Sequence, residues 1–205
     1  TMLLAVVCLG AAPLAASDAA SDCFSEDNER RITGCTEVLS SPLINEDERS
    51  TALAMRALAF SLKGQYDRAI ADYDSAIAIN PNFAIALNNR AWAYYKAGRP
   101  LKGLPDAERS LSLSPLSAHT YDTRAHIRQT QGDANGALAD YELAMRYGGP
   151  RMVKLYQCGL QAHGLFRGRV DGLYSQELRQ AMASCTRSAE CDPLPADEEC
   201  RAATS

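Results

Sequence analysis

The chain has 205 residues, 46% of them hydrophobic, which is enough for a sizeable core in one or two domains. Lysine and arginine number 21 against 25 acidic residues, giving a formal net charge of −4 with no long basic run. That balance argues against nucleic acid and anionic membrane surfaces as partners.

Residues 1–19 read as a signal peptide. The apolar run Met2 to Ala16 is followed by small residues, with Ala15-Ala16-Ser17 and Ser17-Asp18-Ala19 as cleavage sequences. The run is too short to span a bilayer comfortably. No basic segment precedes it, which fits either a truncated start or an atypical signal. The alternative of a buried helix is weaker, because nothing polar gives the run a second face. Cys8 follows Ala5-Val6-Val7, a poor fit to a lipid-attachment sequence. The expected location is periplasmic or secreted.

Beyond that run lie six cysteines, at positions 23, 35, 158, 185, 191 and 200. An even number in an exported chain points to disulfides. Their placement suggests Cys23 with Cys35, Cys158 with Cys185 and Cys191 with Cys200. No CxxC pair and no Cys/His cluster with zinc spacing occurs, so neither a metal nor another cofactor is expected. Residues 20–49 include a helix expected over Asn28 to Ser40, with Ile32, Cys35, Val38 and Leu39 on one face.

The central stretch writes one pattern three times. Gly64, Gly98 and Gly132 keep a 34-residue step, as do Arg56, Arg90 and Arg124, and Ala57, Ala91 and Ala125. Each glycine is followed by a small residue (Ala69, Gly103, Ala137), an anchor (Tyr73, Ala107, Tyr141), another small residue (Ala76, Ser110, Ala144) and a breaker at Pro81, Pro115 or Gly149. A fixed period of this size signals a solenoid. Each unit reads as two helices around a glycine turn, with small residues allowing close approach. In the second unit Gly103 and Pro105 predict a late or strained second helix. Asp72, Asp106 and Asp140 each lie sixteen residues after the repeated arginine, symmetrically about the turn. This predicts an Arg56–Asp72, Arg90–Asp106 and Arg124–Asp140 bridge inside each hairpin. The alternative is that the arginines line a binding surface.

The ordered recurrence of small, aromatic, glycine and proline positions resembles the tetratricopeptide repeat. The resemblance implies an all-α helical-hairpin solenoid of three units, residues 50–83, 84–117 and 118–151, with an N-terminal capping helix and a small C-terminal helical segment. In that family the first helix of each unit lines a concave groove for peptides or a partner's helix. Carried across, the groove positions are Ala54, Leu58 and Ser61, then Asn88, Trp92 and Tyr95, then Asp122, His126 and Gln129. The family's clamp for C-terminal carboxylates needs Lys and Asn where Ala54 and Leu58 stand, so that specificity is not implied. Trp92 and Tyr95, one turn apart, form an aromatic anchor; the other reading is that Trp92 packs as core. His119 and His126, seven apart with only Asp122 nearby, read as solvated helix histidines rather than a metal or general-base site.

Residues 152–186 resemble the first two helices of a small peptidoglycan-binding domain. Gln157 and Leu160, Gly164-Leu165-Phe166, and Gly168, Val170, Asp171, Gly172 and Tyr174 carry the likeness. Ser175 and Leu178 depart from it, and a Cys-containing tail, 187–205, stands in place of a third helix. Phe166, Asp171 and Tyr174 are the glycan-binding candidates this implies; the alternative is a cap on the last repeat. The chain lacks a nucleophile elbow, a phosphate-binding glycine loop and HExxH. The expected function is a non-enzymatic exported scaffold binding a protein or peptide through its groove, with a peptidoglycan-binding adaptor as the alternative.

Overall fold

The computed structural model describes residues 15–188 and 190–194, with side chains from Ala19 onward. Nine helices occur among them: α1 (Ala15–Cys23), α2 (Asn28–Ser40), α3 (Glu46–Leu62), α4 (Tyr66–Ile79), α5 (Ala84–Lys96), α6 (Pro100–Leu113), α7 (Ala118–Thr130), α8 (Ala134–Ala162) and α9 (Gln176–Cys185). The hairpins α3–α4, α5–α6 and α7–α8 stack in chain order into a solenoid, and no strand occurs among the described residues. Of the expected signal peptide, residues 1–14 lie outside them, and residues 15–19 form the start of α1, where Ala19 is buried rather than part of a detached leader.

The 34-residue step is visible in the backbone. The second helices start at Tyr66, Pro100 and Ala134. Gly64, Gly98 and Gly132 take φ of +72°, +72° and +78°, the left-handed conformation that ends a helix and that side chains disfavour. The residue after each glycine donates its N–H back into the finished helix, from Gln65 to Phe60, Arg99 to Tyr94 and Asp133 to Arg128. These bonds satisfy carbonyls that the helix end would otherwise leave open. Helix α3 begins with a capping box, in which Asn45 and Glu48 each bond the other's backbone N–H.

Small side chains set the inter-helix distance. Ala57, Ala69, Ala76, Ala91, Ala107, Ala125, Ala137 and Ala144 are fully buried, with Tyr73 and Tyr141 filling the remaining space. The late start expected for α6 does not occur. Pro100 occupies its first turn, where a missing N–H leaves no bond unmade. Pro105 lies on the exposed side, where water can reach the carbonyl it leaves unpaired. Gly103 faces the opposite way: a Cβ there would meet the Ala91 carbonyl oxygen at 2.6 Å and its Cα at 3.0 Å. Replacing Gly103 with Ala is therefore expected to force α5 and α6 apart and destabilise the fold by about 1–3 kcal/mol, read as a lower urea midpoint with unchanged helix content.

The ends of the stack are closed differently. At the N-terminal end α1 packs on α2, where Gly34 leaves no room for a side chain against Ala19 and Cys23. The Cys23–Cys35 disulfide joins the two helices there. At the other end α8 kinks at Gly149 (φ +63°, ψ −158°), and its second half turns to pack with α9. The third hairpin and this C-terminal pair share one core, including Tyr141, Met152, Tyr156, Leu160, Phe166, Leu178 and Met182.

Candidate functional site

In each hairpin the repeated arginine meets the repeated aspartate through a two-pronged fork. Arg56 donates to Asp72 at 2.7 and 2.8 Å, Arg90 to Asp106 at 2.7 and 2.7 Å, and Arg124 to Asp140 at 2.8 and 2.7 Å. Paired donors in a fixed plane match a carboxylate, which arginine offers and lysine does not. The free guanidinium nitrogens of the first two reach backwards, Arg56 to Thr36 and Arg90 to Asp74. Asp140 also accepts from Arg128 at 2.8 Å. With these guanidiniums engaged by aspartates, the ladder joins helices within and between hairpins.

The first helices present the groove positions, and they divide into two parts. Leu58, Ser61, Asn88, Trp92 and Tyr95 are partly exposed, whereas Ala54 is buried. Trp92 and Tyr95 lie 5.1 Å apart between ring centroids, with the Lys96 ammonium 5.5 Å from the Trp92 ring. Asp122, His126 and Gln129 are buried. What covers them is the chain's own segment after α9.

Gln129 is 5% exposed and its amide nitrogen lies 3.2, 2.6 and 2.7 Å from the carbonyl oxygens of Cys185, Ser188 and Cys191. Its amide oxygen accepts from the Tyr141 hydroxyl at 3.0 Å. His126, 2% exposed, is not the solvated helix histidine expected; of that pair His119 is the exposed member. Both His126 ring nitrogens face acceptors, the Asp122 carbonyl at 2.8 Å and the Asp192 carboxylate at 3.1 Å. An imidazolium satisfies both at once. The Tyr156 hydroxyl donates to Asp122 at 2.5 Å.

Burial opposes charge on His126, but Asp122 and the hydrogen bond to Asp192 outweigh it and raise its pKa above the ordinary imidazole value. Burial pushes Asp122 up, while Asp192, against its own burial, is drawn down by the bond from His126. Tyr95 and Lys96 of α5 and Tyr141 and Tyr156 of α8 complete the surroundings. A raised histidine pKa stabilises fully below about pH 6.5 and less as pH rises through the folded value. A lowered aspartate pKa stabilises above about pH 4 and less as pH falls through the folded value. Asp122, raised, contributes stability below about pH 4 that is lost as pH rises through its folded value. The urea midpoint is therefore expected to fall between pH 6 and 8.5, and Asp192→Asn is expected to flatten that fall.

The disulfide expected between Cys158 and Cys185 is not formed. Cys185 ends α9 and a tight turn, Ser188 N–H to Cys185 and Cys191 N–H to Ser188, brings Cys191 back to a Cα distance of 5.3 Å and a bridge. The Cys191–Cys200 pairing is thereby excluded. Cys158 is disulfide-bonded as well, and Cys200 lies outside the described residues.

In the C-terminal pair Gln157 builds the turn over Asp171–Leu173. It accepts from the Asp171 and Gly172 N–H groups at 3.0 and 2.9 Å and donates to the Asp171 carboxylate and Leu173 carbonyl at 2.9 and 3.1 Å. Gly172 has φ of +78°. Asp171 is thus engaged in its own turn. Phe166 is only 4% exposed and offers no ring to a sugar, because it closes the core beneath the turn. Tyr174, 50% exposed, is the one of the three glycan candidates with an open ring; its hydroxyl donates to Glu142 at 2.9 Å. A separate apolar cleft of about 670 Å³, lined in part by Cys23, Phe24, Val38 and Ile44, lies at the N-terminal end, away from all of these groups.

Residues 57–98 match the family model of the TPR repeat. A solved structure of MamA from Desulfovibrio magneticus superposes with a TM-score of 0.58 over 69% of this chain and 78% of that one, at 17% identity. The fold is that of a tetratricopeptide repeat solenoid. Among curated proteins, the chain is 27% identical over 159 residues to Hsp70-Hsp90 organizing protein 3 of Arabidopsis thaliana, covering 76% of this chain and 27% of that protein. It is 34% identical over 107 residues to tetratricopeptide repeat protein 36 of Bos taurus, covering 50% of this chain and 57% of that one. Against human serine/threonine-protein phosphatase 5 the figures are 31% identity over 99 residues, 48% of this chain and 20% of the enzyme. The chain thus spans about a quarter of the length of the Arabidopsis relative.

Proposed function

We propose that the protein is an exported, non-enzymatic tetratricopeptide scaffold that captures a protein or peptide partner on its concave face, over Leu58, Asn88, Trp92 and Tyr95. The carrying observation is the partly exposed Trp92–Tyr95 pair on consecutive turns of α5, with Lys96 beside it. Large rigid aromatics supply most of the affinity in many protein interfaces. Relatives named as organizing proteins are consistent with such a role. Export is supported by the bridged cysteines. Among the described residues no helix is long and apolar enough to cross a membrane. Selection of a displayed random-peptide library on the oxidised full chain tests the reading. Ligands are expected whose affinity drops at least tenfold on Trp92→Ala; an empty selection, or ligands indifferent to Trp92, would overturn it.

The second reading, a peptidoglycan-binding adaptor, rests on the exposed Leu173 and Tyr174 beside the Gln157-built turn. Co-sedimentation of the full chain with isolated sacculi, lost on Tyr174→Ala, is the expected result. No pelleting would leave the C-terminal pair as a cap on the last hairpin.

A further inference from the structure

The segment Glu190–Leu194 is held against the third hairpin by side chains from three directions. Gln129 of α7 donates to the carbonyls of Ser188 and Cys191, His126 of α7 holds the Asp192 carboxylate, and His163 at the end of α8 lies 2.8 Å from the Asp192 carbonyl. Pro193 is fully buried, and its carbonyl lies where a Cβ on Gly159 would come within 2.0 Å. Only glycine at 159 admits the segment. Gln129 and His126 stand at groove positions, and the same face continues to the partly exposed Tyr95 and Trp92, whose rings lie 5.3 Å from that of His126.

We infer that the concave face of the third hairpin is a peptide site that reads an aspartate followed by proline after a tight turn, and that its resident occupant is the chain's own disulfide-clipped segment. Each chemical feature has its reader. The clustered turn carbonyls meet the Gln129 amide, the carboxylate meets His126, and the proline lies against the side-chain-free Gly159. A trans ligand of the same chemistry, a turn followed by Asp-Pro and an aliphatic residue, takes the site when the resident segment leaves it, and from there extends onto Trp92 and Tyr95. The Cys185–Cys191 bridge keeps the carbonyls together and so favours the resident form.

This inference rests on the groove reading above. The test uses the full chain with Cys185→Ala, Cys191→Ala and Asp192→Lys, which removes the clip and the anchor and leaves Gln129 and His126 in place. The probe is a fluorescein-labelled, oxidised decapeptide with the sequence of residues 185–194, followed by anisotropy. Saturable binding is expected, at least tenfold tighter than to the wild-type chain and at least tenfold tighter than for a decapeptide with Lys in place of Asp. Absence of binding, or equal affinity for both decapeptides, would overturn the inference. If circular dichroism shows the triple variant unfolded, Asp192→Lys alone, which spares the core, is judged by the same two decapeptides. Library ligands that depend on Trp92 together with a failed decapeptide would remove this inference alone; failure of both would remove the groove reading with it.

Discussion

Asp140→Asn is expected to destabilise the protein by about 3 kcal/mol, lowering the thermal midpoint by roughly 6–12 °C. Asp140 is 1% exposed and accepts from Arg124 twice and Arg128 once, all within 2.8 Å. Asparagine keeps the shape but removes the charge and turns an N–H₂ group toward guanidinium donors, leaving two cations short of a partner in a partly dry site. The arginine side chains are 17% and 27% exposed, so some water reaches them, which places the loss at the lower end for a broken buried pair. Asp74→Asn is the control: its side chain is 52% exposed, and its loss is expected below about 1 kcal/mol. An unchanged midpoint for Asp140→Asn would mean that the ladder does not hold the hairpins together, and would return the arginines to the role of surface contacts.

Gln129→Leu is expected to destabilise the C-terminal half by about 2–3 kcal/mol. Leucine matches the volume but offers nothing to the carbonyls of Cys185, Ser188 and Cys191, and the Tyr141 hydroxyl loses its acceptor. Amide exchange should show where the loss falls, with protection lost at Cys191 and Leu194 and kept in α3 to α6. Equal loss across all hairpins would mean that Gln129 supports the whole solenoid rather than the docked segment.

Most of the scaffold was legible because its determinants are local and periodic. A glycine must take positive φ to end each first helix, alanines must fill each close crossing, and an arginine and an aspartate placed symmetrically about the turn must meet. The late start that Gly103 and Pro105 predict for α6 does not occur, because Pro105 faces solvent and Gly103 is where the helix packs closest against Ala91. The groove was legible as a set of positions but not in its occupancy. Asp192 lies 66 residues after His126, and nothing local announces that they touch. A signal was present nonetheless. Asp122, His126 and Gln129 place three polar residues on one face of α7 where the second unit carries Trp92 and Tyr95, and such a face needs a polar cover if it is buried. Similarly, the six-residue separation of Cys185 and Cys191 hides the tight turn that makes their bridge short.

The most direct test of a concave face open at Trp92 and closed at His126 is quenching of the sole tryptophan by acrylamide, a neutral quencher insensitive to the charge of Lys96 and Asp192. The oxidised wild-type chain is expected to show partial quenching, rising clearly when Cys185→Ala, Cys191→Ala and Asp192→Lys free the segment from the adjoining half of the groove. An indole fully shielded in both proteins would contradict the account, because Trp92 would then be core and the groove would have no anchor to offer.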